Sequence, residues 1–249
     1  MSAGYATSRP AVHPHVIELV RRHLGLDRKV SRALDVGCGA GLSTKPLEEI
    51  AECCIGIEPV EAMLAWTRST APDAHFLVGA AEAIPIAGRS IDILTAAGSL
   101  NYADFDLFFP EAARVLKERG VLVVYDFSQG REFHDSPKLA DWFSQFVARY
   151  PKPPSEARAI SPESLAQLDC GFELRSHEQF EIGLRLDVDF YLDYAMTETN
   201  VAFAVRQGTP EGEIRSWCGE TLAAVFEGVA REVLFRGYIA YLWQGAGAA

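Results

Sequence analysis

Five short apolar runs, separated by spans of helical periodicity, constrain this 249-residue chain more than any other feature of it. The runs are "VSRALDV" to Val36, "CCIGIE" to Glu58, "HFLV" to Val78, "SIDILTAA" to Ala97 and "GVLVVYDF" to Phe127. Helical patterns cover Val16 to Leu24, about Leu42 to Ala51, "VEAMLAWTRS" from Val60 and "FDLFFPEAARVLKE" from Phe105. Pro46 fits the second of these only in a first turn, where amides lack intrahelical partners. Near-continuous apolar strands joined by helices describe a parallel sheet covered on both faces. The first half therefore predicts an α/β fold.

The second half changes character. Residues 128–160 are polar and broken by Pro137, Pro151, Pro153 and Pro154, with a helical patch "LADWFSQFVARY" between the breaks. This stretch reads as a lid inserted over the sheet edge. "FEIGLRL", Phe180 to Leu186, and "EVLFRGYIAYLW" alternate apolar and polar residues as half-exposed strands do. A helix from about Glu211 to Phe226 lies between them. Two such strands after a parallel core predict a seven-stranded, mostly parallel sheet with an antiparallel C-terminal edge strand. The expected organisation is one domain, 1–249: an N-terminal helical segment 1–30, a core 31–127, the lid 128–160, and a C-terminal sheet edge with helices 161–249.

A formal net charge of −11 disfavours nucleic acid, because phosphate neutralisation needs clustered Lys and Arg. "MSAGYATSRPAVHP" lacks a signal-peptide pattern, and no segment offers eighteen uninterrupted apolar residues. A cytoplasmic protein without membrane partners is expected. The five cysteines Cys38, Cys53, Cys54, Cys170 and Cys218 lack CxxC spacing and read as reduced thiols. No metal is expected.

"LDVGCGAG", Leu34 to Gly41, follows the first strand with Gly37, Gly39 and Gly41. Glycine permits a sharp turn and close approach of a ligand, and a helix start offers unpaired amides. Glu58 ends the next strand, 21 positions after Gly37, where a carboxylate can accept both hydroxyl hydrogens of a ribose. A dinucleotide fingerprint needs its third glycine where this chain has Leu42. Asp35 would repel a pyrophosphate but could order a cationic amino group, directly or through water.

On these residues the chain resembles the class I, Rossmann-like S-adenosylmethionine-dependent methyltransferases, particularly the small-molecule, ubiquinone-biosynthesis-like branch. The resemblance covers about Arg32 to Phe127: "ALDVGCGAG", "GIEP", "GAAEAIPIAGRSIDIL" and "EAARVLKERGVLVVYDF". It implies a three-layer Rossmann-like sandwich and S-adenosylmethionine as cofactor, leaving as S-adenosylhomocysteine. Gly37, Cys38, Gly39 and Gly41 would hold its methionine part, Glu58 its ribose, and Pro59 and Met63 its adenine. Ala97 and Gly98 would line the same crevice. Tyr5 and Arg9, in the opening "YATSRPAVHP", would close over its carboxylate, which makes 1–30 a cofactor-closing segment. Ala80 stands where family members often carry an Asp for the adenine amine. The ring would then rely on the Ala81 amide and on packing by Ile57, Pro59, Met63 and Ile84. Glu82 either braces this loop or contacts the ligand.

The acceptor is harder to read. "AAGSLNYAD" offers Ser99, Asn101 and Tyr102, and "DFSQGREFHD" offers Asp126 and His134. His134 is either a solvent-facing loop histidine or a general base, since imidazole titrates near neutrality. Tyr102 is either a packing aromatic or a substrate wall, and Asp126 a strand cap or a site residue. The Asn/Asp-Pro-Pro-Tyr run of adenine, cytosine or glutamine methylation is absent, with "GSLN" in its place. Trp142, Phe143, Phe146, Tyr150, Phe190, Tyr191, Tyr194 and Tyr238 suit either a closed pocket or an ordinary core. Arg149, Arg185 and Arg236 are candidates for a substrate carboxylate. The expected activity is methyl transfer to O, N or C of a small organic acceptor, by a monomer or homodimer. The alternatives are an NAD(P)-dependent oxidoreductase and a non-catalytic S-adenosylmethionine-binding protein.

Overall fold

A computed structural model describes residues 8–155 and 157–245. The chain packs as two compact units that it enters repeatedly. Among the described residues one, the sheet unit, comprises 13–127, 157–180 and 237–245; the other, the aromatic unit, comprises 8–12, 128–155 and 181–236. The chain crosses between the units at 127/128, and residues 128–155 pack with 181–236.

In the sheet unit, α1 (Val12–His23) precedes β1 (Val30–Val36) and β2 (Ala51–Glu58). Then come the short helices α2 (Glu61–Leu64) and α3 (Thr67–Thr70), β3 (His75–Val78), β4 (Ile91–Ala97), α4 (Phe105–Val115) and β5 (Leu116–Phe127). The strand order is β3-β2-β1-β4-β5, all parallel, and β8 (Arg231–Gln244) follows antiparallel to β5. The β1–β4 register runs from Ala33 opposite Ile93 to Val36 opposite Ala96. In β5–β8 it runs from Leu122 opposite Leu242 to Phe127 opposite Gly237. Leu34, Val36, Leu94, Ala96, Leu122 and Val124 bury their side chains with Phe108, Phe109, Ala112 and Val115 of α4. Removing these aliphatic and aromatic faces from water is the main stabilising contribution.

Two expected helices come out differently. Over 42–51 there is only a 3-10 turn, Lys45–Glu49, and β2 already begins at Ala51. Pro46 has no amide to give, and the Leu47 and Ile50 amides bond three residues back, to Thr44 and Leu47. The helix expected after Val60 splits into α2 and α3. There the Thr67 hydroxyl takes the Leu64 carbonyl, while those of Ser69 and Thr70 take that of Trp66.

The aromatic unit holds β6 (Glu132–Phe133), α5 (Lys138–Arg149), α7 (Val188–Ala195), α8 (Thr199–Arg206) and α9 (Glu211–Phe226). The short α6 (Pro162–Ala166) and the first part of β7 (Phe172–Leu186) belong to the sheet unit. Among the described residues the sheet has eight strands, one more than expected. The addition is β6, whose two residues pair with Leu234 and Val233 of β8. Trp142 stacks on Phe146 at 5.3 Å and on Trp217 at 6.1 Å, and its Nε1 donates to Thr221 Oγ1 at 2.8 Å. Trp142, Phe143, Phe146, Tyr150, Tyr191 and Tyr194 are all buried and form an aromatic core. Among the described residues no helix is long and apolar enough to cross a membrane.

Candidate functional site

The chain runs outward through β1, β2 and β3 and returns at β4, so the strand order reverses between β1 and β4. Open α/β sheets bind ligands in the crevice beyond the carboxyl ends of the strands at such a point. Two loops meet there, 37–41 after β1 and 98–99 after β4. A Cβ placed on Gly37 would lie 2.4 Å from that of Ser99, whose hydroxyl donates to the Val36 carbonyl at 2.6 Å. Gly37, Gly39 and Gly41 all have positive φ, +71°, +54° and +88°. Only glycine takes up three such turns in five residues without strain.

The loop amides expected to be unpaired have protein partners. Gly37 and Cys38 both donate to the Ile57 carbonyl, at 2.9 and 3.0 Å, and Gly41 donates to the Cys38 carbonyl at 2.8 Å. Gly39 donates to Glu58 Oε2 at 3.1 Å, and Val60 to Glu58 Oε1 at 3.0 Å. Glu58 is mostly buried and holds the loop to the end of β2. Met63 lies on the other side, its Cε 3.4 Å from where a Gly39 Cβ would stand. The Cys38 thiol is buried, and desolvation with the nearby Asp35 and Glu58 charges pushes it far above the usual thiol range. It therefore packs as a neutral group.

Asp35 corrects one expectation. It is fully buried, with Oδ2 accepting from Ser43 Oγ at 2.6 Å and Thr44 Oγ1 at 2.7 Å, and Oδ1 from Thr95 Oγ1 at 3.1 Å. Burial pushes its carboxyl up to about 6 against the pull of those hydroxyls. The residue braces the loop from beneath and does not present a carboxylate to a ligand.

Glu82 is likewise a brace: its Oε1 accepts from the Asp104 amide at 2.8 Å, at the start of α4. Ile57 and Ile84 lie in the hydrophobic core rather than on a ligand surface, Ala81 packs against that core, and Pro59 is exposed. The loop after β3 has a clamp that the sequence reading missed. Glu111 accepts the Ile84 amide at 2.8 Å, while Arg114 donates to the Ile84 and Ile86 carbonyls and grips both oxygens of Glu111. Its i, i+3 spacing on α4 was the available signal.

Ala97 and Gly98 close β4 half-exposed. Gly98 has φ +61°, and a Cβ there would lie 3.1 Å from Asp126 Oδ1. Asp126 accepts from the Phe127 amide at 2.8 Å. Burial raises its carboxyl above the ordinary value, opposed by that amide and by the Asn101 side chain. Tyr238 pairs with Asp126 across β5–β8, and burial with the Asp126 charge holds its phenol up. His13, absent from the sequence reading, bonds to the Tyr125 hydroxyl at 2.9 Å and meets the Phe127 ring edge-on at 5.2 Å.

Other expected site residues lie elsewhere. Tyr102 is 78% exposed on a 3-10 turn, so it neither packs nor walls a pocket. His134 belongs to the aromatic unit and is exposed, its amide tied to the Glu232 carbonyl at 3.1 Å as a continuation of the β6–β8 ladder. Arg9 packs over the Tyr194 ring at 5.3 Å and acts on buried Glu198, partners other than the expected cofactor carboxylate. Tyr5 lies outside the described residues. Arg149 and Arg236 are engaged by Glu213 and by Glu181 with Glu132, and Arg185 is exposed. Among the described residues no His, Cys, Asp and Glu cluster could hold a metal.

Comparison with known proteins matches residues 34–124 to the family described as a methyltransferase domain. A methyltransferase of Dictyostelium discoideum is 27% identical over 127 residues, 51% of this chain and 47% of that protein. The ubiquinone biosynthesis O-methyltransferase of Azorhizobium caulinodans is 30% identical over 129 residues, 46% of this chain and 51% of the relative. The chain spans about half the length of these curated relatives. A solved type II methyltransferase structure from Anaeromyxobacter dehalogenans has the same fold, with TM-score 0.68 and 22% identity, covering 91% of this chain and 95% of that one.

Proposed function

From the match of residues 34–124 to the methyltransferase-domain family, we propose an S-adenosylmethionine-dependent methyltransferase that acts on a small organic acceptor. The observation that carries this is the Glu58 carboxylate at the end of β2, held against the Gly39 amide of the glycine loop. A ribose could take over the two hydrogen-bonding oxygens that now accept backbone amides. The occupied amides of Gly37, Cys38, Gly39 and Gly41 leave little of the anion cradle a pyrophosphate needs, which favours this reading over an NAD(P)-dependent oxidoreductase.

The residues fit the cofactor: a glycine loop with apolar Met63 beside Gly39, and the half-exposed Ala97–Gly98 turn. When bound, S-adenosylmethionine would supply an electrophilic methyl on a sulfonium. Glu58 would orient the ribose, and the backbone of 37–41 and 97–98 would border the methionine end. Where the acceptor must lose a proton, Asp126 would take it on its carboxylate, because desolvation makes that group a stronger base than an exposed aspartate. Asn101 would hold the carboxylate in place. The relative named for ubiquinone biosynthesis supports a small organic acceptor. A cytoplasmic location belongs to the same reading.

Calorimetric titration with S-adenosylhomocysteine and, separately, NADH tests it. Saturable binding of S-adenosylhomocysteine and none of NADH is the expected result. The reverse would remove the proposal.

A further inference from the structure

The aromatic unit gathers three cationic side chains, Arg9, Arg131 and Lys152, about one carboxylate, Glu198, which is 5% exposed. The guanidinium of Arg131 is incompletely used. Its Nε and Nη2 are buried and have no hydrogen-bond partner among the described residues. A buried charged donor left without an acceptor is costly, so such a group points to a ligand.

The two unused donors form one edge of the guanidinium, a pair of parallel N–H groups. The protein uses the same edge elsewhere: Arg21 and Arg114 each hold both oxygens of a glutamate, Glu18 and Glu111, through Nε and Nη2. This fork matches a carboxylate bidentately. The Arg131 edge is also pre-set. Its guanidinium lies over the Phe143 ring at 4.0 Å. The two residues before it are pinned, Gly130 by the Tyr191 hydroxyl at 2.7 Å and Gln129 by that of Tyr194 at 2.9 Å.

We propose that the aromatic unit contains a binding site for the carboxylate of a small organic acid, with the Nε/Nη2 edge of Arg131 as its fork and Arg9 and Lys152 adding positive charge. Glu198, in the same cluster, lowers the extra attraction that a dianion gains over a monoanion from these cations. The inference concerns binding alone and stands apart from the methyl-transfer reading.

The test is an NMR titration of the arginine Nε–H resonances of the full chain, at constant ionic strength, with sodium propionate, propionamide and sodium phosphate. Arg131→Lys identifies the resonance. The site predicts a saturable shift of the Arg131 signal with propionate, none with propionamide, and binding of phosphate no tighter than that of propionate. Calorimetry on Arg131→Lys, which keeps the charge but loses the fork, should give propionate binding weaker by about fivefold or more. A shift that only follows ionic strength, tighter binding of phosphate, or unchanged affinity in Arg131→Lys would overturn the proposal. Should that variant not fold by circular dichroism, triple-resonance assignment identifies the Arg131 signal and the three-ligand titration of the native protein decides alone.

Discussion

Replacing Asp35 by asparagine should change how stability depends on pH, and the structure sets both sign and size. The native carboxyl is fully buried, and its pKa is raised from 3.8 to about 6. An acid raised by folding is favoured in its neutral form. Well below pH 4 it is protonated in both folded and unfolded chains and carries no penalty. As pH rises toward 6 the unfolded chain ionises first, and the native state loses stability relative to it. A shift of roughly two units corresponds to on the order of 3 kcal/mol, complete by about pH 7. Asparagine does not titrate, so the difference in unfolding free energy between native protein and Asp35→Asn isolates this group from every other carboxyl. Urea unfolding of both at pH 4, 5, 6 and 7 measures it. The difference should move against the native protein by on the order of 3 kcal/mol across that range. A constant difference would mean that Asp35 is not desolvated beneath the loop. A change of opposite sign would mean that Ser43, Thr44 and Thr95 outweigh burial.

Gly37→Ala combines φ +71° with a Cβ 2.4 Å from that of Ser99, and should cost about 2–4 kcal/mol in thermal or urea unfolding. Gly39→Ala, whose nearest neighbour is Met63 Cε at 3.4 Å, should cost only about 1–2 kcal/mol. Once an acceptor is known, Asp126→Asn should lower single-turnover methyl transfer by about 10²-fold and remove a limb of the pH profile if that acceptor loses a proton. His134→Ala, a change on an exposed side chain, should alter the same rate by less than about threefold. Arg114→Lys removes the fork that holds Glu111 and reaches the Ile84 and Ile86 carbonyls, and should speed amide exchange over 84–86.

The parallel core was legible because its strands are buried on both faces and leave near-continuous apolar runs, as "LTAA" and "VLVV" do. The helix at Glu211–Phe226 was legible too. Where local chemistry competed with the pattern, the reading failed. Pro46 and the hydroxyls of Thr67, Ser69 and Thr70 turned expected helices into short turns. The helices α7 and α8 went unread because their buried faces are short and partly polar, with Asn200 among the buried residues.

At the site, glycine spacing and the distance to Glu58 marked the loop, since only backbone and one acid were involved. The roles of Asp35 and Glu82 depend on partners far along the chain, Thr95 and Asp104, which spacing does not reveal. His134 and Tyr102 were chosen by residue type, and exposure reassigns both. Arg131 passed unremarked beside Arg149, Arg185 and Arg236, because only burial distinguishes an unused guanidinium from a solvated one.

The central claim is that the β1–β4 crevice binds S-adenosylmethionine through Glu58. Calorimetric affinity for S-adenosylhomocysteine in native protein, Glu58→Gln and Glu58→Ala tests it most directly, with circular dichroism to verify folding. Hydrogen bonds from hydroxyls to a carboxylate contribute about 1.5–3 kcal/mol each. Both variants should therefore bind at least about tenfold more weakly, Glu58→Ala the more so. Affinity equal to that of the native protein in both folded variants would contradict the account and take Glu58 out of the site.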